Sequence, residues 1–373
     1  MRNILSMNFH GSGERNGAAA SGSAKAWAVF FFAMLSAVCI SGCGRSDRKD
    51  SLSATTQHRI IIDTDTAGDD ALAIAMVAKA PNVTIEGLTV LAGNVDLEQG
   101  AANALMTLEM AGCPDIPVYK GADISLDGEK RELYSVFGKD GMGDNGLIHP
   151  AGKAAEGDAV EFILNTVRAN PGEIEILAIG PATNIAMAIE REPETMKLVK
   201  RVWIMGTAGF GAGNATPVAE FNVYSDADAC KVLLEAGIPV TVVGLDMCEL
   251  DEVLYYEKDM AGLAKSCELG SFLVQSWDEL LAYKKEYQGM NSVDICDAIA
   301  AAALIWDDFA DKSVRCSSFV CTEDGPTYGQ VIFYKEDYAY DSMPEVSGFN
   351  VTVIEGIQAD KLKKEVSGLL SGR

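Results

Sequence analysis

The chain has 373 residues, of which 48% are hydrophobic and 23% are charged, so its composition is that of a globular protein with a sizeable core. Its formal net charge of -24 argues against a nucleic-acid polymer or an anionic lipid surface as a partner. The charge favours a divalent cation or a neutral polar small molecule instead.

Residues 1–42 have the pattern of an export signal. Basic residues precede an apolar run at 26–40, which is shorter than a membrane-spanning helix requires. The run ends in Ile40-Ser41-Gly42-Cys43, which resembles the bacterial lipobox, where a signal peptidase cuts before the cysteine and the thiol is acylated. An ordinary signal peptide and a short membrane anchor are the alternatives.

The sequence therefore predicts three segments: a lipoprotein signal peptide at 1–42, a polar tether at 43–58 and one domain at 59–373. Lipidation of Cys43 would hold the mature protein on the outer side of a bacterial membrane, so we expect an extracytoplasmic, membrane-anchored lipoprotein.

Seven cysteines lie beyond Cys43, and an odd number scattered through apolar segments is not typical of a disulfide framework. Whether Cys316 and Cys321 pair stays open. With no CxxC motif and three histidines in the whole chain, the sequence argues against a zinc site.

The domain alternates apolar, β-rich runs with helical patterns. Strands are predicted at 59–65, 84–94, 173–180, 201–206 and 239–246, with helices at 69–80 and 97–112 and after the later strands. This order is typical of an α/β fold with a doubly wound, mostly parallel sheet and helices on both faces.

The C-terminal part of the domain has a different pattern. Residues 251–292 are predicted to be mostly helical, whereas two strands between 314 and 355 predict a small β-hairpin near the sheet edge. Ligands of open α/β sheets lie at the carboxyl ends of the strands, so candidate functional residues are sought there.

The segment Asp63-Thr-Asp65-Thr-Ala-Gly68-Asp69-Asp70 places four carboxylates within eight residues at the end of the first strand. At 4 Å and an effective dielectric near 20, each close pair of like charges costs on the order of 4 kcal/mol. Asp63 and Asp65 share a strand face, and Gly68 permits a tight reversal before Asp69 and Asp70 begin the helix. We expect all four acids to converge on one crevice with a hard cation, Ca²⁺ or Mg²⁺. Helix capping accounts for only one of them.

The glycine-rich segment 206–226 predicts a loop that brings Asn214, Glu220 and Asn222 close together. Amides and an acid on one pocket wall suit the vicinal hydroxyls of a sugar. A polar surface loop is the alternative.

A third candidate is Asp297, at the start of the apolar helix in 293–306. An acid at the beginning of a buried helix is either a cap or a ligand, and the sequence alone leaves both interpretations open.

These motifs together resemble the inosine–uridine-preferring nucleoside hydrolase family. Asp-Thr-Asp-Thr-Ala-Gly-Asp-Asp-Ala-Leu-Ala is similar to the family's signature of Asp-x-Asp, a short turn and paired Asp. The segments LAGN, TNIAMAIE and GNATPVAEFN and the late Asp297 follow in the family's order, from about residue 59 to 310. The resemblance implies calcium-dependent hydrolysis of the N-glycosidic bond of ribonucleosides, giving free nucleobase and ribose for purine or pyrimidine salvage.

The resemblance also implies roles for individual residues. Asp65, Asp70 and Asp297 would hold Ca²⁺ together with the backbone carbonyl of Ile179. Asp65 would also accept the proton of the attacking water, and Asp69 would orient the ribose hydroxyls. The remaining substrate-binding residues implied are Asn94, Met205, Asn214, Glu220, Phe221 and Asn222.

One departure concerns the acid that helps the nucleobase depart. Many members of the family have His just before the late Asp, where this chain has Cys296. A thiol with an ordinary pKa near 8.5 can donate a proton but is a weak acid for this purpose. His149 either acts as this acid in place of the Cys296 thiol or is a surface residue. Tyr283, Tyr287 and Trp277 either contact the nucleobase or pack in the core.

Two other functions remain open from the sequence. A phosphohydrolase of the haloacid dehalogenase type would use Asp63 in Asp63-Thr-Asp65-Thr66 as nucleophile with Mg²⁺, but it leaves Asp69 and Asp70 unexplained. A non-catalytic lipoprotein that binds nucleosides is the second alternative. The resemblance is compatible with a homodimer or homotetramer, and the preferred nucleobase is not determined.

Overall fold

The apolar runs of the sequence form the strands of a central sheet in the computed structural model, which describes residues 56–129, 135–342 and 348–372. From residue 56 onwards these residues belong to one compact unit. The predicted signal peptide, Cys43 and most of the predicted tether lie outside the described residues. The first strand begins at His58, the last residue assigned to the tether.

The described residues contain all the predicted strands and four that were not predicted. The strands are β1 (His58–Thr64), β2 (Val83–Val90), β3 (Val118–Lys120), β4 (Ile174–Ala178), β5 (Arg201–Met205), β6 (Val240–Val243), β7 (Tyr255–Tyr256), β8 (Ser292–Val293), β9 (Ala310–Val320), β10 (Val331–Lys335) and β11 (Val351–Ile357). The four that were not predicted are β3, β7, β8 and β11.

The helices connect these strands. They are α1 (Gly68–Lys79), α2 (Leu97–Met110), α3 (Ala159–Ala169), α4 (Thr183–Arg191), α5 (Pro193–Met196), α6 (Phe221–Ser225), α7 (Ala227–Glu235), α8 (Leu245–Cys248), α9 (Glu257–Ser266), α10 (Glu268–Gln275), α11 (Asp278–Tyr283), α12 (Cys296–Ile305) and α13 (Ala359–Ser371).

The central sheet has nine strands in the order β10-β9-β11-β6-β5-β4-β1-β2-β3. Every neighbouring pair from β11 to β3 is parallel, and β9 is antiparallel to both of its neighbours. The chain moves from β1 to β3 in one direction and then returns to β4 on the other side of β1. The predicted doubly wound, mostly parallel α/β sheet is therefore confirmed, and its topological switch point lies between β1 and β4.

Both faces of the sheet are covered, as predicted for a parallel sheet. In β1, Ile60 and Ile62 belong to one apolar core and Ile61 belongs to the other, because successive side chains point to opposite faces. The first core includes α1 and α12, and the second includes α3, α4 and α7.

The predicted C-terminal hairpin is also confirmed, since β9 and β10 pair antiparallel with Val331 opposite Val320. The predicted helical region at 251–292 contains α9, α10 and α11, but β7 pairs with β8 across it in a second, two-stranded sheet. Cys316 and Cys321 are both free thiols. Within the described ranges, none of the helices has the length and apolar character needed to span a bilayer.

At the amino ends of the strands, one buried carboxylate ties β1, β4 and β5 together. Glu175 Oε1 lies 2.9 Å from His58 Nδ1 and accepts a hydrogen bond of 2.8 Å from Lys200 Nζ, and Oε2 accepts one of 2.8 Å from Trp203 Nε1. Burial raises the pKa of Glu175, but the hydrogen bonds from His58, Lys200 and Trp203 outweigh it and lower this pKa to about 2.

We expect Glu175→Ala to lower the free energy of unfolding by about 3 kcal/mol, because it leaves buried polar partners without an acceptor. Urea unfolding measures this. The matched control is Glu173→Ala in the same segment. Glu173 is 60% exposed in its ion pair with Arg59, so its loss should cost less than about 1 kcal/mol. Equal effects of the two substitutions would contradict the role of Glu175 as the buried acceptor that ties the three strands together.

Candidate active site

The switch point brings the ends of three strands together. Asp65 directly follows β1, Ile179 directly follows β4, and Met205 is the last residue of β5. Asn222 Nδ2 donates to the carbonyls of both Ile179 and Met205, at 3.2 Å each, and so joins the ends of β4 and β5. The carboxyl ends of the strands therefore carry the predicted residues, as the general rule for open α/β sheets requires.

Asp70 closes the first turn of α1. Its Oδ2 accepts from the backbone N–H of Ala67 at 2.9 Å, and its Oδ1 accepts from Thr64 Oγ1 at 2.5 Å. Asp70 is thus the one acid of the cluster that caps the helix, while Asp69 in the same turn has a buried Oδ1 without a hydrogen-bond partner. Capping explains Asp70 but not its neighbours.

The role expected for Gly68 differs from what the structure shows. Its φ is not positive, so no left-handed turn requires glycine here. A Cβ at Gly68 would instead lie 2.9 Å from both Ser276 O and Trp277 Cδ1. Trp277 Nε1 donates to Gly68 O at 3.0 Å. Gly68 is therefore needed for close packing of α1 against the buried indole.

The carboxylate of Asp65 lies between the ends of two neighbouring strands. Its Oδ2 accepts from the backbone N–H of Asn94 at 2.6 Å, whereas its Oδ1 is buried without a partner. A Cβ at Gly93 would lie 2.0 Å from Oδ2, and one at Gly180 would lie 2.7 Å from Oδ1. Glycines at both positions leave the space that this carboxylate occupies.

Three carboxylates lie close enough to share a cation. Ligand oxygens of Asp69, Asp70 and Asp297 all lie within 4.8 Å of one another. Asp297 is in the first turn of α12, but the N-cap residue is Ile295, whose side chain makes no cap hydrogen bond. Of the two interpretations of Asp297, cap or ligand, the geometry therefore favours the ligand.

The cluster concentrates negative charge in a buried place. Burial first, and then the charges of Asp70 and Asp69, raise the pKa of Asp65 well above its ordinary value. Burial followed by the charges of Asp69, Asp70 and Asp65 does the same for Asp297. Burial also raises the pKa of Asp70, to about 6, although hydrogen bonds from Thr64 and Ala67 oppose the shift.

Asp63 does not join this cluster. Its Oδ1 accepts from Thr89 Oγ1 at 2.5 Å and from Asn184 Nδ2 at 2.8 Å, and so links β1 to β2 and α4. The expectation that all four acids of the motif converge is therefore wrong for Asp63. Because these two hydrogen bonds hold Asp63 in the sheet, it is also poorly placed to be the nucleophile of a phosphohydrolase.

The glycine-rich segment forms a loop followed by α6. Glu220 accepts from the backbone N–H groups of Thr207, Asn222 and Val223 at 3.0, 2.9 and 3.3 Å, while Asn214 Oδ1 accepts from Phe221 N at 2.9 Å. Burial raises the pKa of Glu220 to about 7 although these donors oppose the shift. The loop thus brings together Asn214, Glu220 and Asn222, as the sequence predicts.

The carboxylate cluster and the glycine-rich loop face a common cavity of about 180 Å³. Nearly all of the predicted substrate and metal residues line it: Asp69, Asn94, Ile179, Met205, Asn214, Glu220, Phe221, Asn222, Cys296 and Asp297. Asp65 and Asp70 lie behind this lining, fully buried.

The two predicted candidates for the leaving-group acid lie in different places. Cys296 lines the cavity, and a hydrogen bond with Cys248, followed by burial, raises the pKa of its thiol well above the ordinary value. His149 is exposed and is not part of the lining. The thiol therefore remains neutral at physiological pH, and His149 is a surface residue.

The three aromatic residues considered for contact with the nucleobase also lie in different places. Trp277 is fully buried and packs edge-on against Tyr255, with ring centroids 5.5 Å apart, so it belongs to the core. Tyr283 lines the cavity. Tyr287 is 68% exposed and lies beside Tyr283, with a centroid separation of 4.9 Å.

Several cavity residues have no signal in the sequence. They come from the turn at 135–137, the residue after α8, α11 itself and the segment between α11 and α12, and are Phe137, Glu249, Leu280, Lys284, Gln288 and Asp294. No motif spacing joins these positions, although Asp294 lies close before Asp297 in the chain.

Comparisons with known proteins agree with this geometry. The sequence profile of the inosine-uridine preferring nucleoside hydrolase family matches residues 60–364. The chain is 36% identical to probable uridine nucleosidase 1 of Oryza sativa subsp. japonica over 255 residues, which is 68% of this chain and 78% of the relative. It is 30% identical to the pyrimidine-specific ribonucleoside hydrolase RihB of Escherichia coli strain SE11 over 282 residues, or 74% and 87% of the two chains.

A solved structure is similar over nearly the whole domain. A plant nucleoside hydrolase, the PpNRh1 enzyme, superposes with a TM-score of 0.80 at 29% identity and covers 85% of this chain and 99% of its own. The fold and site therefore define an enzyme that hydrolyses N-glycosidic bonds. The chain belongs to the inosine-uridine preferring nucleoside hydrolase family, which sets aside the phosphohydrolase and the non-catalytic binding protein.

The charge of the cluster gives a testable dependence of stability on pH. A carboxyl whose pKa is higher in the native state than in the unfolded chain keeps its proton longer when folded, so stability falls as pH rises between the two values. For Asp70 this interval runs from 3.8 to about 6, and the pKa values of Asp65 and Asp297 are shifted in the same direction.

In chelator we therefore expect the free energy of unfolding to fall between about pH 4 and pH 7, and saturating calcium to reduce this fall, because a bound cation offsets the repulsion. Urea titrations at several pH values measure this. Asp297→Asn in chelator should show a shallower fall. Identical pH profiles with chelator and with calcium would contradict the expectation.

Proposed function

We propose that the chain hydrolyses ribonucleosides, with uridine a preferred substrate, in a calcium-dependent reaction that yields free nucleobase and ribose. The observation that carries the proposal is a buried carboxylate cluster facing, across one cavity, a wall of amides suited to ribose hydroxyls. Uridine is favoured because the relatives include proteins named as uridine nucleosidases and a pyrimidine-specific hydrolase.

The residues present fit a hard cation. Carboxylate oxygens of Asp65 and Asp69 are buried without hydrogen-bond partners, and an all-oxygen ligand set suits Ca²⁺. Asp65, Asp70 and Asp297 would hold the ion with the carbonyl oxygen of Ile179, which has a lone pair beyond the one bonded to Asn222. When bound, such a cation lowers the pKa of a water molecule that it ligates.

The protein side chains account for the remaining steps. Asp65 has one free carboxylate oxygen and accepts the proton of the attacking water, while the backbone N–H of Asn94 holds its other oxygen in place. Asp69 orients the ribose hydroxyls. The carboxylates stabilise the positive charge that develops at C1′ as the N-glycosidic bond breaks.

The amide wall holds the ribose from the other side. Asn214 and Glu220 accept the backbone N–H groups at the start of α6 and so fix the loop, and Asn222 is held by two strand-end carbonyls. Met205 supplies an apolar surface beside Asn222. The wall is therefore rigid before substrate binds, which favours a single orientation of the sugar.

Asp65→Asn should lower the rate of ribose release from uridine by about 1,000-fold or more, because an amide cannot accept the proton of water. A reducing-sugar assay measures the rate, and calorimetry with calcium and with ribose shows whether the site remains formed. An Asp65→Asn variant with nearly normal turnover would contradict the assignment of the general base. Normal turnover of the wild type in excess chelator would contradict calcium dependence.

We further propose that the mature protein begins at Cys43 and is held at a bacterial membrane by lipid on that thiol, as the lipobox-like sequence suggests. Mass spectrometry of the membrane fraction should give a chain without residues 1–42 and with acyl groups on Cys43. Cys43→Ala should move the protein to the soluble fraction. A variant that stays fully membrane-bound would contradict lipid anchoring.

A further inference from the structure

The active-site cavity has a third wall, which neither the carboxylate cluster nor the amide wall supplies. It is formed by the turn at 135–137, the residue after α8, and the segment that joins α11 to α12. Its residues are Phe137, Glu249, Tyr283, Lys284, Gln288, Asp294 and Cys296. The proposed function places the ribose between the first two walls, which leaves the third wall for the nucleobase.

One ion pair stands out on this wall. Lys284 Nζ lies 2.7 Å from Asp294 Oδ2, and the two side chains are only 11% and 15% exposed. Among the described residues that line the cavity, Lys284 is the one that carries a positive charge. An ammonium group has three N–H donors, so the bond to Asp294 leaves donors for a ligand.

The local backbone sets the position of this lysine. Lys284 begins a π-helical turn, Lys284–Gln288, that follows α11 directly. The turn closes through a hydrogen bond of 3.1 Å from Met290 N to Lys284 O, and Gly289 has a φ of 67°. π-Helical turns are rare and occur frequently at functional sites.

We propose that Lys284, oriented by Asp294, is a catalytic residue that donates a hydrogen bond to a carbonyl oxygen of the departing pyrimidine. This inference rests on the proposed function. As the bond between C1′ and N1 breaks, its electron pair goes to N1, and the negative charge spreads to the carbonyl oxygens of uracil. The water oxygen bonds to C1′, its proton goes to Asp65, and the uracil anion takes a proton from solvent after release.

Three other groups on this wall are less suited to the task. The Cys296 thiol is a weak hydrogen-bond donor and is engaged with Cys248. Glu249 and Asp294 are carboxyl side chains whose ionised forms repel a developing anion. A preorganised ammonium in the same cavity as the carboxylate cluster stabilises the leaving group as the cluster stabilises C1′.

The test compares two substrates that differ in how much help the leaving group needs. Lys284→Met should lower kcat/KM for uridine by about 100-fold, the loss typical of removing one preorganised donor. The same substitution should lower kcat/KM for 4-nitrophenyl riboside by less than about fivefold, because nitrophenolate is a stable anion without assistance. Lys284→Arg should recover part of the uridine activity, since it restores an N–H donor.

Controls separate catalysis from folding. Lys285→Met is the matched control, because Lys285 is the next residue, is exposed and does not line the cavity, and its activity should equal that of the wild type. Calcium affinity measured by calorimetry should be the same in Lys284→Met and the wild type.

Each other outcome has a definite meaning. Equal losses on both substrates, or no loss on uridine, would overturn the role of Lys284 while leaving nucleoside hydrolysis intact. A Cys296→Ala variant that loses uridine cleavage but keeps nitrophenyl riboside cleavage would assign the role to the thiol instead. A wild-type protein that releases ribose from neither substrate would overturn the proposed function, and this inference with it.

Discussion

The mutual repulsion of four buried carboxylates is the constraint on which the site depends. Asp65, Asp69, Asp70 and Asp297 are between 0% and 8% exposed, so water screens their charges poorly. The fold supplies some compensation through the amino terminus of α1, the N–H groups of Ala67 and Asn94, and the hydroxyl of Thr64. These groups are dipoles, and they leave the pKa of every one of the four carboxyls above its ordinary value. A bound cation offsets charge of this density, which is why the cluster is better explained as a binding site than as a capping arrangement.

The architecture around the cluster follows from the need to bring these acids together. The switch point lies between β1 and β4, and the connections that begin there run to opposite sides of the sheet and leave a crevice above the two strands. Gly93 and Gly180 keep the neighbouring backbone close to Asp65, where any side chain would collide with its carboxylate. Asp297 reaches the same point from α12, a helix so apolar that it is buried along its whole length.

Much of this arrangement can be predicted from the sequence. The features that cannot be predicted share one physical cause, which is contact between segments that are distant in the chain. Asp65, Asp69 and Asp70 lie within one strand–turn–helix unit, so local geometry alone brings them together. Asn214, Glu220 and Asn222 are likewise close in the chain. Asp63 was misassigned because its partners, Thr89 and Asn184, come from distant elements. The pairing of β7 with β8 and the packing of Gly68 against Trp277 also join parts of the chain that are distant in sequence.

The charge arrangement of the cavity matches the charge separation that the reaction requires. Cleavage of an N-glycosidic bond makes C1′ positive and the nucleobase negative at the same time, so a cavity lined only with carboxylates would assist one half of the transition state and oppose the other. In this chain the buried carboxylate cluster lies at the strand ends, while Lys284, the one cation of the described lining, lies with Asp294 and Glu249 on the wall proposed to face the nucleobase. A leaving group that departs as an anion, as uracil does, benefits from that lysine, whereas a purine that must be protonated before it departs does not. The proposed role of Lys284 therefore predicts a preference for pyrimidine nucleosides that has an electrostatic cause and is independent of the shape of the nucleobase.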